Sequence, residues 1–291
     1  MRRVAGLVLA VLLLAGCSDP GGQSSPTAQG TTASASPSAS ATEGATTADP
    51  TPSLQPTPEP TPTPEPTAEA VPAPLPLAGK VVVIDAGHQL GNANFTSEIN
   101  KQVDAGAGKK KACNTTGTAT NGGFPEATVN WEVATRVRDA LIAQGAEVIM
   151  TRESNSLDEF GPCINIRGSL GNERADLLLS IHADGADAGS NGFHLLLPST
   201  AHPEYAGSLA FANQLMTALN GGGLATANYV SGGMRASSDY ATLNLSAKPA
   251  VIVEMGNMRN AGDAERLTSA DGQDVYAAAL VTAVAAYLTA P

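Results

Sequence analysis

Three segments of this 291-residue chain end a run of apolar residues in groups that can bind a metal or move a proton. They are Val81-Val82-Val83-Ile84-Asp85-Ala86-Gly87-His88, Leu177-Leu178-Leu179-Ser180-Ile181-His182-Ala183-Asp184 and Ala250-Val251-Ile252-Val253-Glu254-Met255-Gly256-Asn257. A short continuous apolar run reads as a strand buried on both faces, as in a parallel sheet. Ligands bind such sheets just beyond the carboxyl ends of the strands. His88, His182 and Glu254 therefore reach one sheet edge, a set of groups that points to metal-assisted chemistry.

The rest of residues 80–291 alternates in the same sense. Pro125 suits a helix start, Val129, Val133, Val137 and Leu141 recur every four residues, and Gly145 suits a stop, which predicts a helix over 126–144. Further strands are expected at 147–152, 192–197 and 250–254, and further helices near 164–175, 204–220 and 271–289. Residues 89–125 are polar and aperiodic and read as loop, and 221–235 as a glycine-rich loop. The expected fold is α/β, a twisted, mostly parallel sheet with helices on both faces, in one catalytic domain.

The chain ahead of that domain has another character. Arg2 and Arg3 precede an apolar stretch, Val4 to Ala15, too short to span a bilayer, so residues 1–17 read as an export signal. Its close, Leu14-Ala15-Gly16-Cys17, resembles the lipobox of bacterial lipoproteins, which implies a lipid on Cys17 and anchoring to a membrane at the cell surface or periplasmic side. Residues 18–79 hold 14 of the 20 prolines and no Lys or Arg, the composition of a disordered linker. The domain carries 14 basic and 21 acidic residues, a balance that argues against nucleic acid as partner. Cys113 and Cys163, the two cysteines besides Cys17, are expected to form one disulfide in an exported domain.

Hydrolytic metal sites take two or three protein ligands and keep an open position. His88 and His182 supply two, and Glu126, at the head of the first long helix, is the best candidate for a third. The competing role for Glu126 is an acid complementing the helix dipole. Glu254 ends an interior strand, where a carboxylate needs a partner. That partner is either a water to be deprotonated or an arginine such as Arg235 or Arg259. His194 and His202 read as structural or exposed.

Ile84-Asp85-Ala86-Gly87-His88, Glu126-Ala127-Thr128-Val129-Asn130, Ser180-Ile181-His182-Ala183-Asp184 and Val253-Glu254-Met255-Gly256-Asn257 resemble, in order, four blocks of the zinc-dependent N-acetylmuramoyl-L-alanine amidases. The resemblance spans residues 80–288. It implies a zinc ion held by His88, Glu126 and His182, with Glu254 as catalytic acid/base. It also implies hydrolysis of the amide joining N-acetylmuramic acid to L-alanine of the peptidoglycan stem peptide. Ala86, Gln89-Leu90, Asp184 and Asn257 depart from the usual pattern without removing a ligand. Arg235 is a candidate to bind a stem-peptide carboxylate or the oxyanion. The expected partners are peptidoglycan or muropeptides and a membrane, with the chain a monomer. A non-catalytic peptidoglycan-binding module is the alternative, and it predicts loss of one of the four groups.

Overall fold

The computed structural model of the protein describes residues 74–290. The expected leader 1–17 with Cys17, and most of the expected linker 18–79, lie outside the described residues. In chain order the elements are β1 (Val81–Ala86), α1 (Thr96–Ile99), β2 (Gln102–Asp104), β3 (Lys110–Ala112), α2 (Glu126–Ala143), β4 (Glu147–Met150), α3 (Ile164–Ser169), β5 (Leu177–Asp184), β6 (His194–Leu197), α4 (Tyr205–Gly221), β7 (Met234–Ala236), α5 (Ala241–Asn244), β8 (Ala250–Asn257), α6 (Ala261–Thr268) and α7 (Ala270–Leu288).

Six strands form one sheet in the order β4-β1-β5-β8-β6-β7. The apolar runs of β1, β5 and β8 lie side by side and parallel at its centre, with β4 parallel outside β1. β6 runs antiparallel to β8, and β7 pairs parallel with β6. Alternate residues of each strand face opposite ways. Val82, Ile84, Leu179, Ile181, Val251 and Val253 join the large core made with α2, α4 and α7. Val83, Leu178, Leu196 and Ile252 face the other way, into a thinner layer with Leu243 of α5.

The four-residue rhythm of α2 explains its place. Val129, Val133, Val137 and Leu141 are fully buried, and each such side chain contributes roughly 1.5–3 kcal/mol by leaving water. The helix stops where Gly145 adopts φ +94°, a conformation that costs glycine little. Leu77 is also fully buried, and its N–H donates to the Gln144 carbonyl at 2.9 Å, so the chain joins the core before β1.

The structure corrects several sequence expectations. Residues 89–125 are not a plain loop: they hold a 3-10 turn at Leu90–Asn94, α1, and the antiparallel hairpin β2–β3. Its strands are three residues long, too short to show alternation, and its tip uses positive φ at Gly106, Ala107 and Gly108. The helix near 164–175 ends at Ser169, and the glycine-rich stretch 221–235 gives way to β7 at Met234. α6 is an addition to the expected helices and starts where the Asn260 side chain accepts from the Gly262 and Asp263 N–H groups.

Candidate active site

The thin face of the sheet turns polar at one edge. Two residues beyond Val83 lies Asp85, beyond Leu178 lie Ser180 and His182, and beyond Ile252 lies Glu254. Because β6 enters in the opposite direction, its first residue, His194, falls at the same edge, paired with Glu254. His88 lies two residues past the end of β1 and adopts φ 60°, a left-handed conformation unusual for a residue with a side chain.

His88, Glu126 and His182 converge, with one ligand atom from each lying within 4.8 Å of the others. Glu126 Oε1 is 3.0 Å from His182 Nδ1 and 3.3 Å from His88 Nε2. It also accepts from Asn130 Nδ2 and the Ala183 N–H, while Oε2 accepts from the Thr118 N–H at 2.9 Å. Glu126 is thus more than a complement to the helix dipole: as the first residue of α2 it is buried and turned toward both imidazoles. Burial opposes its charge, but the two imidazoles hold its pKa well below the ordinary carboxylate value. Burial lowers the pKa of His182, with the hydrogen bond to Glu126 in partial opposition. The neutral ring is the form that binds a metal. His88 Nδ1 lies 3.0 Å from the Thr115 carbonyl, which calls for a proton on Nδ1 and leaves Nε2 free to coordinate. Two imidazoles and a carboxylate suit a divalent ion with an open position.

Close approach at Gly87 makes this cluster possible. A Cβ there would stand 2.4 Å from His182 Cε1. Gly87→Ala is therefore expected to displace the His182 ring and weaken metal binding by about tenfold or more. Metal titration alongside far-UV circular dichroism checks this, since the fold should persist while affinity falls.

Behind His182 lies a group the sequence did not reveal. Arg167 makes two 2.7 Å hydrogen bonds to the Asp85 carboxylate and places Nη2 2.8 Å from His182 Nε2. Ser180 Oγ and Thr151 Oγ1 also donate to Asp85, at 2.6 and 2.8 Å. A buried strand aspartate needs a partner, and that rule was the available signal. It does not name a residue 82 positions away.

Glu254 is not paired with an arginine among the described residues: its Oε2 is buried with no hydrogen-bond partner. Arg259 donates instead to Asn121 and Arg235 to the Tyr240 hydroxyl. Burial, reinforced by the charges of Glu126 and Asp184, pushes the Glu254 pKa well above the ordinary value. A carboxyl whose proton affinity is raised in this way suits a group that accepts and returns a proton. Glu254, His88, His182 and Arg167 line one cavity of about 490 Å³, bounded also by Ile252 and Tyr240. Arg235 is exposed on β7 and reaches this cavity only through Tyr240, which places it at the rim. His202 bonds the Asn244 carbonyl and the Glu204 N–H, a structural role at the start of α4. Cys113 and Cys163 are joined as a disulfide, which ties the segment ahead of Glu126 to the start of α3.

Proteins of related sequence and similar fold are known. Residues 82–286 match the family described as N-acetylmuramoyl-L-alanine amidase. The chain is 38% identical over 225 residues to N-acetylmuramoyl-L-alanine amidase Rv3717 of Mycobacterium tuberculosis, covering 76% of this chain and 91% of that one. Crystal structures of the amidase Ami1 superpose with a TM-score of 0.69 for the Mycobacterium smegmatis protein, at 37% identity over 73% of this chain and 98% of that one. The Mycobacterium abscessus protein also gives 0.69, at 41% identity over 73% of this chain and all of that one.

Proposed function

Because the chain belongs to the N-acetylmuramoyl-L-alanine amidase family, a family of peptidoglycan hydrolases, we propose that it performs the hydrolysis at the cavity containing Glu254. The bond cut is the amide between the lactyl group of N-acetylmuramic acid and the L-alanine nitrogen. The action on peptidoglycan is extracytoplasmic.

His88, Glu126 and His182 would hold a zinc ion, in keeping with two nitrogen donors and one carboxylate oxygen. Zinc, when bound, supplies a Lewis acid for the amide carbonyl and lowers the pKa of water towards 7. Glu254 takes a proton from the attacking water, whose oxygen bonds to the lactyl carbonyl carbon. It returns that proton to the alanine nitrogen as the carbon–nitrogen bond breaks, leaving a carboxylic acid and a free amine. Asp85 and Arg167 orient the His182 ring, Asn130 orients Glu126, and Thr115 orients His88. Arg235, at the rim beside Tyr240, would meet a carboxylate of the stem peptide. A lipid on Cys17 would tether the enzyme to a membrane facing its substrate. One chain supplies all four groups, so the reading needs only a monomer.

The observation that carries this reading is the unpartnered carboxyl of Glu254 in one cavity with His88 and His182. Its test is mass spectrometry of the soluble products released from peptidoglycan by the full chain. Stem peptides with a free L-alanine amine are expected, lost with 1,10-phenanthroline and restored by zinc. Free amino acids in place of intact stems would point to an exopeptidase, and unchanged polymer to a binding module.

A further inference from the structure

A second cavity, of about 520 Å³, opens at the same sheet edge. It is bordered by residues just past the carboxyl ends of the central strands: Leu90 after β1, Gly185 after β5 and Arg259 after β8. Pro125, ahead of α2, borders it on one side of the sheet, whereas Ile164 of α3 and Ala241 of α5 border the cavity of Glu254 on the other. The segment leading to Glu126 divides the two, with Thr115 lining one cavity and Thr116 the other. That partition is thin at Gly117, where a Cβ would stand 2.7 Å from Glu126 Oε2 and 2.9 Å from His88 Cδ2. The cluster of His88, Glu126 and His182 thus lies between two cavities of similar size.

A bond cut at that cluster has the glycan on one side and the stem peptide on the other. The cavity of Glu254 carries cations at its mouth, Lys111 in its lining and Arg235 at its rim, which match the carboxylates of a peptide. Asp239 beside them is paired with Lys109 at 2.6 Å. The second cavity differs in chemistry. Arg259 is its one charged lining residue among the described residues, accompanied by the hydroxyls of Thr116 and Thr118 and by apolar Leu90. Arg259 Nη1 donates to Asn121 Oδ1 at 3.3 Å, and Asn121 Nδ2 donates back to the Arg259 carbonyl at 3.2 Å. Nε and Nη2 have no partner among the described residues and are free to donate to neutral oxygens. Acetamido carbonyls and hydroxyls of N-acetylated sugars are acceptors of that kind. Ala93, Gly185 and Arg259 are exposed, so the cavity is open, as a subsite for one sugar within a continuing polymer has to be. We infer that the second cavity is the glycan subsite, holding the N-acetylated sugar next to the scissile amide, with Arg259 as its hydrogen-bond donor. The inference rests on the proposed amidase reaction.

The test compares two soluble substrates of the full-length protein. One is an L-alanyl peptide on the disaccharide of N-acetylglucosamine and N-acetylmuramic acid, the other a lactoyl-L-alanyl peptide without sugar. The ratio of their kcat/KM values cancels damage common to both reactions. Arg259→Ala is expected to lower that ratio about tenfold, through a raised KM for the disaccharide substrate. Arg259→Lys keeps a donor and should lose less. Ala93→Trp narrows the open side of the cavity and should lower the ratio by a similar factor. Binding is read directly by calorimetric titration with stem-free glycan chains of the same two sugars, which the parent should bind about tenfold more tightly than Arg259→Ala. An unchanged ratio in Arg259→Ala, whether both rates hold or both fall equally, overturns the inference. So does a parent that binds the glycan no better than Arg259→Ala. If Arg259→Ala does not fold, Ala93→Trp decides by the same ratio and titration. A parent that cleaves neither substrate sinks the amidase reading instead, and the titration then decides the subsite alone.

Discussion

Glu254→Gln is expected to abolish nearly all turnover, lowering kcat by about three orders of magnitude, within the range that positioned acid–base groups supply. The substitution keeps the shape of the side chain and removes its capacity to take a proton. It also removes an unpartnered buried carboxyl, so stability should hold or rise slightly. Steady-state kinetics on a muramoyl-L-alanyl peptide, with zinc content and thermal midpoint measured alongside, separates these effects. A variant that binds zinc and folds like the parent but no longer hydrolyses assigns the proton transfers to Glu254. A variant with parent-level kcat removes Glu254 from the reaction.

Arg167→Met carries the second large effect, on stability as well as activity. The Arg167–Asp85 pair lies almost wholly out of water. Removing the cation leaves an uncompensated buried carboxylate, a loss of about 3–5 kcal/mol. That corresponds to a thermal midpoint roughly 10 °C lower for a domain of this size. Asp85→Asn combined with Arg167→Met should recover most of the loss, because no charge is left stranded, while His182 still lacks its Arg167 contact and activity stays low. Differential scanning calorimetry of the single and double variants checks this, and an additive double variant would show that the pair is not coupled.

The same pair sets an acid sensitivity. Burial raises the Asp85 pKa, but the charge and hydrogen bonds of Arg167 outweigh it and leave the carboxyl well below the ordinary value. A depressed folded pKa contributes stability that is fully present above the unfolded value. That contribution drains away as pH falls from there towards the folded value. In Arg167→Met this slope in acid should flatten.

What the sequence made legible follows from which interactions are local. The runs ending at His88, His182 and Glu254 announced strands, and the same residues stood at their carboxyl ends. Glu126 was readable because a helix start is written in its neighbours, from Pro125 to the valine rhythm. Arg167 was hidden because its partners Asp85 and His182 meet it only in the folded sheet. In sequence alone His194 looks structural or exposed for a related reason. An apolar run looks the same in either direction, so nothing local shows that β6 runs antiparallel and brings its first residue to the reactive edge. The β2–β3 hairpin escaped because three-residue strands carry too little pattern to register.

The outermost strands of the sheet have a consequence of a different kind. β4 and β7 are four and three residues long. Glu147 on β4 pairs with Arg174, and Arg235 on β7 is exposed. Short, charged borders offer few open backbone groups for another strand to extend. Copies crowded on a surface are therefore poor templates for one another, and the enzyme can be concentrated beside an insoluble polymer without joining sheet to sheet.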